Sequence, residues 1–155
     1  MKKTIFVLLL ALSLGTVAQA QLVDKGTVMA GGSLELTTKN KDNVFIINPM
    51  LGYFFADNAA LGASLSYSSI TKLNTFSVGP FARYYFNFGL FAHTGINFSH
   101  VESAERKNDF DFVFGLGYAA FLNDNVALEP LFTVNLLDGA AYTRLGISLQ
   151  VYFGR

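Results

Sequence analysis

Glu35, Arg83, Glu129 and Arg144 are charged residues set in stretches that are otherwise apolar, glycine-rich or hydroxylated, and His93 and His100 are the two imidazoles of a 155-residue chain. Ser99 beside His100 raises acyl-transfer chemistry, in which a histidine base takes the serine proton. That chemistry needs both side chains on one face. Adjacent residues of a strand point to opposite faces, so a strand through Ser99 and His100 keeps them apart unless a bulge intervenes. Metal binding fares no better: no two histidines or carboxylates share a face at ligand spacing, and Asp109 with Asp111 at a loop edge is a weak pair. No catalytic residue, cofactor or metal is therefore expected. The four isolated charges remain, two acids and two bases. If they share an interior they pair, because an unpaired buried charge costs several kcal/mol; the alternative is a gate or ion path.

Whether they share an interior depends on the elements that carry them. The closing stretch LGISLQVYFGR places Leu145, Ile147, Leu149, Val151 and Phe153 on one parity and Gly146, Ser148, Gln150 and Tyr152 on the other. Such alternation marks a strand with one greasy face. At the other end, Lys2 and Lys3 precede an apolar run from Ile5 to Leu14 that ends at Ala18-Gln19-Ala20. Basic start, short hydrophobic stretch and small-residue end predict a secretory signal peptide over residues 1–20, cleaved after Ala20, and one domain over 21–155.

Without Lys2 and Lys3 the chain carries 9 basic and 11 acidic residues, and no basic patch points to nucleic acid. It has no cysteine, hence neither disulfide nor lipid-modified thiol. Its hydrophobic share is 52% and its charged share 14%, against roughly 25% charged in an average soluble domain. No helix-length apolar segment follows the leader, so the hydrophobic residues must be spread over strands.

Alternation predicts eight strands, at about 26–38, 43–55, 60–69, 75–87, 89–101, 109–122, 126–136 and 142–153. They are longer than the usual five or six residues and match the roughly nine to eleven of a tilted transmembrane strand. One face repeats as bulky and apolar: Leu61, Leu65 and Tyr67, then Phe76, Val78 and Tyr84, then Phe110, Phe112, Phe114 and Leu116. The opposite face is small or polar, with Gly62, Ser64, Ser66 and Ser68 a clear run. An eight-stranded barrel has an interior just wide enough for side chains, so the bulky faces must point out to lipid and the small and polar faces in. For the second strand the odd set, Ile47, Pro49, Leu51 and Tyr53, is assigned outward, although Ile46, Met50 and Phe54 blur the pattern. Parity then places Glu35, Arg83, Glu129 and Arg144 in the lumen, the first and last toward the outer end. The short connections around Asp57-Asn58, Asn87-Phe88-Gly89 and Asn123-Asp124-Asn125 are expected to turn through positive φ. The alternate ones, TKNKDN, SITKLNT, ESAERKND and LLDGAA, are expected to be the longer, outer loops.

With LGISLQVYFGR, LGYFFADNAALGASLSYS (Leu51 to Ser68) and VGPFARYYF (Val78 to Phe86), the chain resembles the OmpA/OmpX-like family of small outer-membrane β-barrels of Gram-negative bacteria, over its whole length after the leader. The resemblance implies an eight-stranded antiparallel up-and-down transmembrane β-barrel in the outer membrane, its termini in the periplasm. It also implies an assembly signal at Leu145, Ile147, Leu149, Val151 and Phe153, read by the outer-membrane assembly machinery, although here Gly154 and Arg155 follow the final aromatic. Lipid and lipopolysaccharide are the expected surroundings, with a monomer as the expected state and no nucleic acid. The expected role is structural or one of surface contact, the segment ESAERKND being the candidate contact loop. A narrow porin-like channel for small solutes is the alternative, to be judged by whether the lumen is continuous past Glu35, Phe81, Arg83, Phe91, Glu129 and Arg144; a soluble, lipocalin-like periplasmic binding barrel is the third.

Overall fold

A computed structural model describes residues 23–39, 42–70, 73–102, 107–137 and 140–155. The expected leader lies outside them, as do the loop tips at 40–41, 71–72, 103–106 and 138–139. Nine strand segments follow in chain order: β1 (Val28–Lys39), β2 (Asp42–Ala56), β3 (Ala59–Ile70), β4 (Leu73–Tyr85), β5 (Leu90–Glu102), β6 (Lys107–Tyr118), β7 (Ala120–Asn123), β8 (Val126–Leu137) and β9 (Ala140–Phe153). Segments β6 and β7 are one barrel strand interrupted at Ala119. Gly117 pairs with Leu131 before the break and Ala120 with Leu128 after it, so the register runs through unchanged. Ala119 N–H donates instead to Gly89 O at 2.7 Å, tying the strand to the neighbouring turn.

All neighbours are antiparallel, and β1 closes on β9 from Val28↔Phe153 to Leu36↔Leu145, giving an eight-stranded up-and-down barrel with no open edge. A strand of 12 residues, such as β1, is about 40 Å long, and tilted by roughly 40° it rises about 30 Å, the thickness of a bilayer's hydrocarbon core.

The faces follow parity. Outward Leu61, Phe114, Leu116, Phe132, Ile147 and Leu149 are about half exposed, while inward Met29, Phe54, Phe91 and Tyr152 are 0% exposed. On β2, Ile47, Pro49, Leu51 and Tyr53 point out and Ile46, Met50 and Phe54 point in. A soluble barrel would bury its bulky set; here it faces the surroundings from every side, as lipid requires. Tyr53, Phe55, Tyr84, Phe86 and Phe153 are exposed near the end that holds the chain termini, the positions of an interfacial girdle.

Two expectations about the connections are corrected. Strand pairing continues to Lys39↔Asp42, Ile70↔Leu73 and Leu137↔Ala140, so three of the expected longer loops shrink to the two positions between those pairs, and the fourth, ESAERKND, gives Glu102 to β5 and Lys107, Asn108 and Asp109 to β6, with Val101↔Lys107 paired. The alternating polarity faded at Thr37, Thr38, Asn43 and Asn74, but backbone pairing does not need it. Of the three short turns, two use positive φ, at Asn58 (63°) and Gly89 (84°). The third does not: Asn123 Oδ1 accepts the N–H of Asn125 at 2.9 Å, and a bulge between Phe121 and Asn123 absorbs the bend.

Candidate functional site: the barrel lumen

The lumen is built in two storeys. At the end of the termini, Arg83 on β4 and Glu129 on β8 face each other across the barrel, Nη1 to Oε2 at 2.6 Å, with both side chains 0% exposed. The carboxylate is saturated: Oε1 accepts from Tyr152 at 2.6 Å and Tyr85 at 3.2 Å, and Oε2 also from Ser148 Oγ at 3.2 Å. The guanidinium is held as tightly. Its Nε donates to His93 Nδ1 at 3.1 Å and its Nη1 to Tyr85 OH at 3.1 Å, Nη2 reaches Met50 Sδ at 3.2 Å, and the plane lies 4.7 Å from the centroid of Phe91. Phe91 in turn rests on Gly117, where any β-carbon would strike its ring.

Below this pair the barrel has an aromatic floor. Phe54 packs on Tyr85 and Tyr152, with ring centroids 5.7 and 6.1 Å apart. Val23, from the segment before β1, is buried in the same cluster. A clamp holds it there: Val23 N–H donates to Asn58 Oδ1 at 3.0 Å and Asn58 N–H returns a bond to Val23 O at 2.8 Å. The left-handed backbone of Asn58, tolerable for an asparagine, aims both groups at the segment. The expectation of a small or polar inner face is therefore corrected for this storey: it is aromatic and thioether-rich, because rings fill a narrow barrel end better than glycine and serine do. On the far side Gly154, at φ 78°, turns the chain after Phe153 so that Arg155 folds back, donating to Asp124 O at 2.8 Å over the Phe121 ring. Partial burial lowers its pKa from the ordinary guanidinium value.

The upper storey is polar. Arg144 Nη1 lies 3.5 Å from Glu35 Oε2, with side-chain exposures of 15% and 5%. Glu35 Oε1 accepts from Ser33 at 2.7 Å and Asn48 at 3.3 Å. Arg144 Nη2 donates to Tyr142 OH at 3.0 Å, and that hydroxyl donates to Asp111 Oδ2 at 3.3 Å, which also accepts from Asn135 and Asn97. Thus each acid of the four sequence candidates lies beside one of the bases, Glu35 with Arg144 and Glu129 with Arg83. Asp111 joins as a third inward acid, on the small and polar face that parity gives its strand. Neither Tyr85 nor Tyr152 stood among the candidates, although Tyr85 follows Arg83 by two residues and so shares its face.

Other candidate chemistry is dispersed. Ser99 points inward and hydrogen-bonds Ser77 at 2.8 Å, whereas His100 is exposed on the outer face. His93 spends its Nδ1 on Arg83. Among the described residues no three His, Asp or Glu side chains are grouped to hold a metal ion. Between the storeys lies a cavity of about 20 Å³ bounded by Glu35, Asn48, His93 and Arg144. A far larger recess, about 760 Å³, is on the outer wall, where Ala82, Ala92 and Thr94 sit between Leu61, Tyr84 and Phe114. Leu145, Ile147, Leu149 and Phe153 of the closing strand are exposed outward and Val151 is partly so.

No protein-family model matches the sequence, and no curated protein matches it either. Solved structures do resemble it. The N-terminal β-barrel domain of Pseudomonas aeruginosa OprF superimposes with a TM-score of 0.66 at 14% identity, over 84% of this chain and 100% of that one. Neisserial surface protein A gives 0.60 at 15% identity, over 82% and 96%. Ail, the attachment invasion locus protein of Yersinia pestis, solved with the heparin analogue sucrose octasulfate, gives 0.52 at 12% identity, over 83% and 99%. At these identities the likeness is one of fold, and it agrees with the outward apolar belt and the closed register: the chain has the fold of the small eight-stranded outer-membrane β-barrels.

Proposed function

We propose that this protein is an integral outer-membrane barrel with a structural or surface-contact role, its lumen plugged by its own side chains. The supporting observation is the inversion of burial: half-exposed Leu, Phe and Tyr outside, and a dry ion pair within, Glu129, Tyr152, Phe54 and Phe91 being 0% exposed and Tyr85 3%. A bulky apolar exterior is tolerable only in lipid, and a floor of packed rings that leaves almost no surface to water supports a seal. The leader over residues 1–20 would bring the chain to the periplasm. Closing-strand residues Leu145, Ile147, Leu149, Val151 and Phe153 would then be read by the assembly machinery before β9 pairs with β1. A closed barrel needs no partner, so the working state is a monomer in lipid and lipopolysaccharide. The relatives in fold include a surface protein and one solved with a sulfated saccharide. For this chain the corresponding contact is assigned to the charged segment ESAERKND, which runs from the last residue of β5 into the first residues of β6.

Planar-bilayer recording tests the plug. Wild-type protein should give no discrete conductance steps, and neither should Glu129→Ala if removing the acid only loosens the packing. Reproducible steps in the wild type would favour the narrow channel instead.

A further inference from the structure

We infer that the small chamber between the two storeys is a binding site for one water molecule, which joins Asn48 to Arg144 beside Glu35. At about 20 Å³ the chamber has room for one water, which needs roughly 10–15 Å³ by the same measure, and not for a larger solute. Asn48 and Arg144 both line it, and each carries a buried polar atom without a partner: Asn48 Oδ1, an acceptor, and Arg144 Nε, a donor. Both side chains converge on one carboxylate. Asn48 Nδ2 donates to Glu35 Oε1 at 3.3 Å, and Arg144 Nη1 approaches Glu35 Oε2 at 3.5 Å. The two side chains that carry the unpaired atoms therefore meet at the same acid.

The chemistry of these groups selects the occupant. It must accept from the Nε–H of Arg144 and donate to the Oδ1 of Asn48. A metal or alkali cation would meet the guanidinium head-on, and an anion would meet the Glu35 carboxylate. A hydrocarbon would leave both atoms unpaired, which protein interiors avoid. Water offers two donors and two acceptors, and Ser64 Oγ on the same wall, which donates to Gly79 O at 3.4 Å, keeps lone pairs for a third bond. The water completes the upper cluster without opening the lower one, because His93 on the far wall already has its Nδ1 occupied by Arg83. The inference rests on lumen geometry alone and stands whether or not the barrel conducts.

Diffraction from crystals of the full barrel, at a resolution that shows ordered solvent, tests it directly. The expected result is one peak within hydrogen-bond distance of both Asn48 Oδ1 and Arg144 Nε, with no anomalous signal there after a rubidium soak. An empty chamber or a rubidium peak would overturn it. Asn48→Leu removes the acceptor, and oxygen-17 relaxation dispersion should then count one long-lived water fewer than in the wild type; an unchanged count would also overturn the inference. The wild-type map decides the matter even where the variant does not refold.

Discussion

The two ion pairs in one lumen are built to different rules. Arg83 and Glu129 meet at 2.6 Å with no exposed surface, and every strong acceptor position of the acid is filled by a tyrosine, serine or guanidinium donor. Arg144 and Glu35 stand at 3.5 Å, the acid buried but the base partly exposed, with an amide and hydroxyls completing the shell. Burial explains the contrast. Charges removed from water must be fully satisfied or they destabilise the fold, whereas charges near an open end can lean on solvent and need less exact partners. The lower pair acts as part of a floor, the upper as a polar lining.

The contrast can be broken from the lower storey first. Glu129→Ala strands Arg83 and three other donors in a dry site and should cost about 3–5 kcal/mol in denaturant unfolding from lipid vesicles. Replacing both partners, Arg83→Met with Glu129→Leu, should cost less than Glu129→Ala alone, because no buried charge is left unpaired. Next in size is the outer wall: Ile147→Lys, mid-strand and 56% exposed, should cost about 2–4 kcal/mol in bilayers, where a soluble barrel would tolerate it. Tyr152→Phe removes one hydroxyl bond to Glu129 and should cost roughly 1.5–3 kcal/mol, with the barrel still closing. Glu35→Gln should have the smallest effect, about 1 kcal/mol, and that effect alone should shrink as salt is raised from about 0.05 to about 0.5 M, since Arg144 is partly exposed and can be screened while Arg83 and Glu129 are sealed. Equal losses for Glu35→Gln and Glu129→Ala would erase the distinction between the storeys.

How much of this is legible in the sequence depends on the strand. On β3 and β9 glycine and serine alternate with leucine, isoleucine and tyrosine, and parity assigns the faces unaided. On β2 the signal is faint because Ile46, Met50 and Phe54 are as apolar as the outward set; only the aromatic floor explains them, and a floor is a property of the closed barrel. Strand ends are hidden for a related reason. Polarity stops alternating where strands leave the lipid belt, yet the backbone ladder runs on to Lys39↔Asp42 and Leu137↔Ala140. In the lumen, parity places a residue inside and counting from the turns gives its height, as it does for Glu35 and Arg144 at the outer end, but neither fixes the contact made across the barrel. Arg83 and Glu129 belong to strands that are not neighbours in the sheet, so their meeting depends on barrel diameter and shear. Tyr152 donates to Glu129 from the next strand, four residues along from Ser148, the register partner of Glu129, and needs that register to be seen.

The central claim is that the bulky face looks outward into lipid. Fractionating cells that make the full chain, then running the recovered protein on gels with and without boiling, tests it most directly. Recovery with the outer membrane, and a band that migrates faster unboiled than boiled, is the expected result. Protein found in the soluble periplasmic fraction, with no shift on boiling, would contradict it and make a soluble binding barrel the better reading.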